Sequence, residues 1–195
     1  MYWCLTQIEL LMKKALFLLL ATCSIGYSQI SDFQGLDVQT NQSISLSDFD
    51  SKKAVVIIFT SNVCPYSVYY EGRITQLIAD YSGQVQFLLI NSHSDDKESA
   101  SEMKNKIGAW GIDVPYIADK DGTIKRLFAA RKSPEVFILK PSGNDFSIYY
   151  KGAIDNNPQV ASDVKEKYLK RNLDTLLQGK SAQDSNTRPV GCIIR

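Results

Sequence analysis

The residues Phe59-Thr60-Ser61-Asn62-Val63-Cys64-Pro65-Tyr66-Ser67 put a single cysteine where an apolar strand gives way to a helix. The first N–H groups of a helix have no intrahelical partner and carry the positive end of its dipole. That setting favours a thiolate over a thiol, and the thiolate is the nucleophile. Pro65 suits the first helical position, where a missing N–H costs nothing. Cys64 is therefore the candidate nucleophile for thiol redox chemistry, the plain alternative being an inert structural cysteine. A lone thiol cannot complete a disulfide cycle. Cys192, near the carboxyl end, is the candidate second thiol. On the residues alone its pairing stays open among a bridge to Cys64, a purely structural tail disulfide and a bond to another molecule.

The neighbours of Cys64 supply weaker candidates. Ser61 and Ser67 each lie three residues from it and could donate a hydroxyl to the thiolate, or be ordinary loop and helix serines. Arg131, with Lys132, is a candidate cation for lowering the Cys64 pKa, and otherwise part of a solvated loop. His93 is the only histidine, but the adjoining Ser94-Asp95-Asp96-Lys97 reads as an exposed loop and helix cap, so a general-base role is not expected. There is no zinc pattern, no phosphate-binding loop and no Ser-His-Asp arrangement.

Recognisable elements position these residues. Ala54–Phe59 is a β-branched run of strand length. Ile74, Leu77, Ile78 and Tyr81 mark one face of the helix that follows Cys64. Val85–Ile90 is a second central strand, and Ala100, Met103, Ile107 and Trp110 mark a second helix. Leu36–Thr40 and Ser43–Ser45 read as a short hairpin, and Ser47 as the cap of a brief turn through Phe49. Pro115–Ala118 is a short strand, followed by a short helix at Ile124–Ala129. Pro141-Ser142-Gly143-Asn144 turns a hairpin between Glu135–Leu139 and Phe146–Tyr150. The stripe Val160, Val164, Tyr168, Leu169, Leu173, Leu176 predicts a last helix ending near Gly179. Residues 180–189 are polar and are expected to be loose, able to carry Cys192 to Cys64. The order predicts an α/β sandwich with a mixed sheet, its function collected at the carboxyl ends of parallel strands.

The amino-terminal residues read as an export signal. Met12-Lys13-Lys14 is a positive n-region, Ala15–Ala21 a short apolar run, and Gly26-Tyr27-Ser28 a small-residue cleavage site. Residues 1–11 lie upstream of a better start at Met12. Leu20-Ala21-Thr22-Cys23 is a weaker match to a lipoprotein signal, because Thr22 is a poor residue before a lipidated cysteine. Removing residues 1–28 takes away Cys4 and Cys23, together with Lys13, Lys14 and Glu9, and leaves 20 basic and 20 acidic side chains. That balance favours neither nucleic acid nor an anionic membrane as partner. The expected organisation is a signal peptide at 1–28, one domain at 29–179 and a tail at 180–195 carrying Cys192, in a compartment where disulfides persist.

The layout of strand, cysteine and helix, with Ser133-Pro134-Glu135-Val136 leading a later strand, resembles the thioredoxin fold. Asn62-Val63-Cys64-Pro65-Tyr66, Ile90-Asn91-Ser92 and Val190-Gly191-Cys192-Ile193-Ile194 are similar to a peroxiredoxin-like branch of the redoxins, in the alkyl-hydroperoxide-reductase and thiol-specific-antioxidant group. The resemblance covers residues 32–195. It implies a three-layer sandwich with a central mixed β-sheet flanked by helices, and a cis Pro134 that faces Cys64 and shapes the substrate groove. The departures are specific. Ser67 stands where thioredoxins carry a second cysteine. Ile57 and Ser61 stand where peroxiredoxins carry Pro and Thr, Ser61 keeping the hydroxyl. Arg131, Lys132 and Ser133 occupy the stretch where relatives often have a further cysteine.

The expectation is an exported, periplasmic thiol oxidoreductase with antioxidant or disulfide-reducing activity and no cofactor. Its partners would be an external thiol reductant and a peroxide or protein disulfide, with no membrane contact after signal cleavage. The rival readings are a monothiol exchange protein using Cys64 alone and a thioredoxin-fold binding module without chemistry.

Overall fold

A computed structural model describes residues 29–143 and 145–195. The export-signal pattern, with Cys4 and Cys23, lies outside the described residues. The strands are β1 (Gln29–Ile30), β2 (Gln34–Asp37), β3 (Gln42–Ser45), β4 (Ala54–Phe59), β5 (Val85–Asn91), β6 (Tyr116–Ala118), β7 (Lys132–Ser133), β8 (Glu135–Ser142), β9 (Asp145–Gly152) and β10 (Cys192–Ile193). The α-helices are α1 (Pro65–Asp80), α2 (Ala100–Trp110), α3 (Thr123–Phe128) and α4 (Tyr168–Leu177).

Eight strands form one mixed sheet in the order β1-β9-β8-β4-β5-β6-β2-β3, and β7 pairs with β10 apart from it. β4, β5 and β6 run parallel, and β8 is antiparallel to β4. β4 lies between β5 and β8 and is covered on both faces. All six of its residues are buried, which is why it reads as a continuous apolar run rather than an alternation. Val56 and Ile58 face a core formed with Ile74 and Leu77 of α1, Met103 and Ile107 of α2, and Leu169 and Leu173 of α4. Val55, Ile57 and Phe59 face the opposite core, with Ile124 and Phe128 of α3 and Ile194 of the tail. Phe128 meets Phe33, Phe59 and Phe137 edge to face there, an arrangement that aromatic quadrupoles favour. The predicted three-layer sandwich with a central mixed sheet is the observed architecture.

Three local expectations need correction. Ser47 is not the cap: the N-cap of the turn Leu46–Phe49 is Ser45, two residues earlier, and Ser47 Oγ donates to Asp32 Oδ2 at 2.8 Å instead. The last helix does not begin at Val160, which is exposed in a loop. The side-chain oxygen of Asn157 accepts from the N–H groups of Gln159 and Val160, and that of Asn156 from those of Lys165 and Glu166. The Asn156 bonds take N–H groups that an α-helix would pair with residues 161 and 162, so between Val160 and Val164 the chain makes only the single 3-10 turn Ala161–Asp163. The segment 180–189 is tied down rather than loose: Lys151 N–H donates to the Ser185 carbonyl at 3.1 Å, and Thr187 N–H donates to the Lys151 carbonyl at 3.0 Å. No helix among the described residues is long and apolar enough to cross a membrane.

Candidate active site

β4 delivers the chain to Thr60, and the turn Ser61-Asn62-Val63 aims it into α1. Cys64 is the N-cap residue of α1, with extended φ/ψ, and Pro65 occupies the first helical turn. Cys64 is joined to Cys192 by a disulfide with Cα atoms 6.1 Å apart and 128 residues between them in sequence. Its Sγ lies 3.2 Å from the carbonyl oxygen of Ser133. The Ser133–Pro134 peptide bond is cis, as the resemblance implied. Cys192 pairs with Ser133 across the β7–β10 ladder. Cys64, Pro65, Ser133, Pro134 and Cys192 thus meet in one place, although they come from three separate stretches of chain.

The turn before Cys64 rests on a carboxylate that the sequence reading missed. Glu98 is buried at 1 % exposure. It accepts from the Ser61 hydroxyl, from Asn62 N–H at 2.8 Å, and from Asn91 Nδ2 at 2.6 Å. Ser61 Oγ in turn accepts from Cys64 N–H at 2.8 Å and Val63 N–H at 3.2 Å. Ser61 therefore holds the backbone under Cys64 rather than reaching the sulfur. Asn91 Nδ2 also donates to the Tyr116 hydroxyl, which donates to Asn62 Oδ1, both at 3.0 Å. Burial holds the Tyr116 phenol well above its ordinary pKa, so it stays a donor. In sequence Glu98 is one acid in a polar run. The available signal was its position just past the carboxyl end of β5, the edge where sites collect in such sheets.

Ser94-Asp95-Asp96-Lys97 is exposed, as expected, but His93 beside it is buried. Its Nε2 lies 2.8 Å from Ser133 Oγ, and its N–H donates to Asn91 Oδ1 at 3.0 Å. Burial lowers its pKa. Lys120 closes this side, its Nζ donating to the His93 carbonyl at 2.9 Å and to Asn91 Oδ1 at 3.2 Å, and burial lowers its pKa too. The chain of contacts from Glu98 through Asn91 and His93 to Ser133 links the Cys64 turn to the cis-proline.

Ser67 lies one turn along α1, buried, and among the described residues its Oγ has no hydrogen-bond partner. Arg131 is exposed, and among the described residues no hydrogen bond or ion pair joins its guanidinium to Cys64. The Arg131 backbone is engaged, its N–H donating to Glu135 Oε2 and its carbonyl accepting from Ile194 N–H. Ile57, at the position of the peroxiredoxin Pro, is a core residue of β4. Among the described residues no cluster of His, Cys, Asp and Glu could hold a metal.

A buried cysteine at a helix N-terminus, a cis-proline against its sulfur and a second cysteine bonded to it define a thiol-based redox protein of thioredoxin fold. The chain belongs to the AhpC/TSA family, whose model matches residues 27–144. The match ends before the tail that carries Cys192. No curated protein matches the chain. Among solved structures, an uncharacterized conserved protein from Geobacillus kaustophilus is 26 % identical, with a TM-score of 0.80 over 87 % of this chain and 90 % of that one. The peroxidoxin BcpB from Mycobacterium tuberculosis is 17 % identical, with a TM-score of 0.59 over 80 % and 97 % of the two chains. A putative thiol:disulfide interchange protein DsbE from Chlorobium tepidum is 16 % identical, with a TM-score of 0.61 over 79 % and 99 %. The last two likenesses establish the fold and nothing further.

Proposed function

We propose that this chain is an exported thiol oxidoreductase that works by a two-cysteine cycle. The observation that carries the reading is the Cys64–Cys192 disulfide, formed at a helix N-cap against a cis-proline. The Cys64 thiolate attacks an electrophile. With a peroxide, its electron pair takes one oxygen, the O–O bond breaks, and an alkoxide or hydroxide leaves and takes a proton from water. The Cys64 sulfenic acid is then attacked by the Cys192 thiolate, which forms the S–S bond and expels hydroxide. With a protein disulfide, the first step forms a mixed disulfide and Cys192 displaces the substrate thiolate. An external dithiol returns both sulfurs to the thiol form.

Exposure decides where that reductant attacks. Cys64 is buried at 4 % exposure, whereas Cys192 is half-buried. The incoming thiolate bonds to the Cys192 sulfur, and Cys64 leaves as the thiolate that the helix N-terminus stabilises. Ser67, one turn along α1, would donate its hydroxyl to that released thiolate. Pro134 shapes the groove and removes a backbone N–H beside the sulfur. Arg131 contributes charge at the rim rather than a contact. Export rests on the pattern at Met12–Ser28 and is tested by amino-terminal sequencing of the secreted protein.

The test is peptide-mapped mass spectrometry with turnover assays on peroxide and on a protein disulfide. Cys64→Ser is expected to abolish both activities. Cys192→Ser is expected to leave a sulfenic acid or mixed disulfide on Cys64 after one equivalent of oxidant. Undiminished turnover in Cys64→Ser overturns the reading. Undiminished turnover in Cys192→Ser alone shows monothiol exchange.

A further inference from the structure

The disulfide is not the only bond between the tail and the body of the protein. Five residues before Cys192, Thr187 sits in a fitted seat at the end of β9. Its N–H donates to the Lys151 carbonyl at 3.0 Å. Its Oγ1 accepts from Ala153 N–H at 3.0 Å and lies 2.6 Å from the Tyr150 hydroxyl. Tyr150, fully buried, donates its one proton to the Ala153 carbonyl at 2.6 Å, so Thr187 is the donor to Tyr150. The hydroxyl is saturated in both roles. The seat exists because residue 152 is glycine: a Cβ there would lie 2.3 Å from the Thr187 carbonyl oxygen, and the φ of +140° suits glycine alone.

The other side of Cys192 is fastened as well. Gly191 packs so closely on the cis-proline loop that a Cβ would lie 2.3 Å from the Ser133 carbonyl oxygen. Two residues after Cys192, Ile194 is buried in the core with Ile30, Phe33 and Phe128, and its N–H donates to the Arg131 carbonyl at 3.1 Å. Val190 and Ile193 between these anchors are exposed. The tail is therefore held at Thr187 and at Ile194, and Cys192 is carried between the two.

We infer that residues 185–194 form a docked arm that keeps Cys192 at Cys64 whether or not the disulfide is present, and that Thr187 is its positioning residue. The inference rests on the two-cysteine reading above. The closing step is intramolecular in any case, and an arm held at both ends raises its effective concentration to a value set by docking rather than by a floppy sixteen-residue tail. The balanced reaction is the protein disulfide plus two molecules of glutathione giving two protein thiols and glutathione disulfide. Its equilibrium constant reads that effective concentration directly.

Thr187→Val keeps the shape of the side chain and removes the hydroxyl. It leaves the buried Ala153 N–H and Tyr150 oxygen short of a partner, so the effective concentration is expected to fall about tenfold. Thr187→Ser is expected to restore it. Gly191→Ala, which forces β10 off the Ser133 carbonyl, is expected to lower it by at least as much. In Cys192→Ser, the Thr187 and Ile194 amides are expected to remain protected from hydrogen exchange, though less than in the oxidised protein, because the disulfide strengthens these bonds but is not needed to form them. Fast exchange of both amides in that protein, or an unchanged glutathione equilibrium in Thr187→Val, overturns the docked arm. Neither readout depends on turnover, so a protein without peroxide or disulfide activity would refute the proposed function and leave this test intact.

Discussion

The two cysteines reach the same point by opposite routes. Cys64 is placed by the centre of the fold: β4 is buried along its whole length, α1 packs on it, and Glu98 gathers the turn between them. Cys192 is placed by the periphery, through a two-residue strand, one threonine seat and one buried isoleucine. The difference suits the two tasks proposed for them. A nucleophile gains from a fixed backbone that presents its helix N–H groups in one geometry. A resolving thiol gains from proximity, which a few anchors at the edge supply, while its partial exposure leaves a sulfur that a reductant can reach. The family model covers the first region and stops before the second.

Three experiments sharpen or break this contrast. The largest effect is expected from reducing the disulfide. In the chain-entropy account, a link spanning 128 residues stabilises the fold by about 5 kcal/mol, seen as a lower urea midpoint in the presence of reductant. A shift below about 1 kcal/mol would mean that the unfolded chain already holds the tail near Cys64. Next is Glu98→Gln, which turns an acceptor of several buried donors into a group that brings two donors of its own. The expected loss is about 3 kcal/mol, with faster amide exchange at Asn62 and Cys64 but not at Thr187. Equal loosening of the arm would merge the two regions into one unit and remove the contrast.

The smallest effect concerns pH. Burial lowers the folded pKa of His93 below its ordinary 6.5, so the unfolded chain takes up the proton first as pH falls. The contribution of neutral His93 is complete above that value and is lost as pH drops from about 6.5 through the folded pKa. His93→Asn is expected to flatten the acid side of the stability profile. An unchanged profile would show that His93 does not set the acid limb through its seat against Ser133.

Most elements were legible because their causes are local. The apolar runs of β4 and β5, the helical stripes of α1 and α2, and the turn before β9 each follow from spacing within a few residues. Gly179 ends α4 as expected, with its N–H donating to the Leu176 carbonyl at 2.8 Å. Where local reading failed, a distant or competing partner had taken over. Asn156 dissolved the start of the predicted last helix. Ser133 drew His93 inward, and Lys151 with Ala153 fastened a polar tail that by composition belonged in solvent.

Beyond the resemblance that pointed to Pro134, the sequence by itself determined the alternation of strands and helices, the position of Cys64 at a helix N-terminus with Pro65 behind it, and a candidate second thiol in Cys192. Those depend on short-range periodicity, on the missing N–H of proline and on the count of thiols. Only the tertiary structure decided that Glu98 is buried under the cysteine turn, that His93 faces the cis-proline loop, and that the tail docks through Thr187 and Ile194. These depend on which groups, far apart in sequence, must satisfy one another once water is excluded, and no local pattern encodes that.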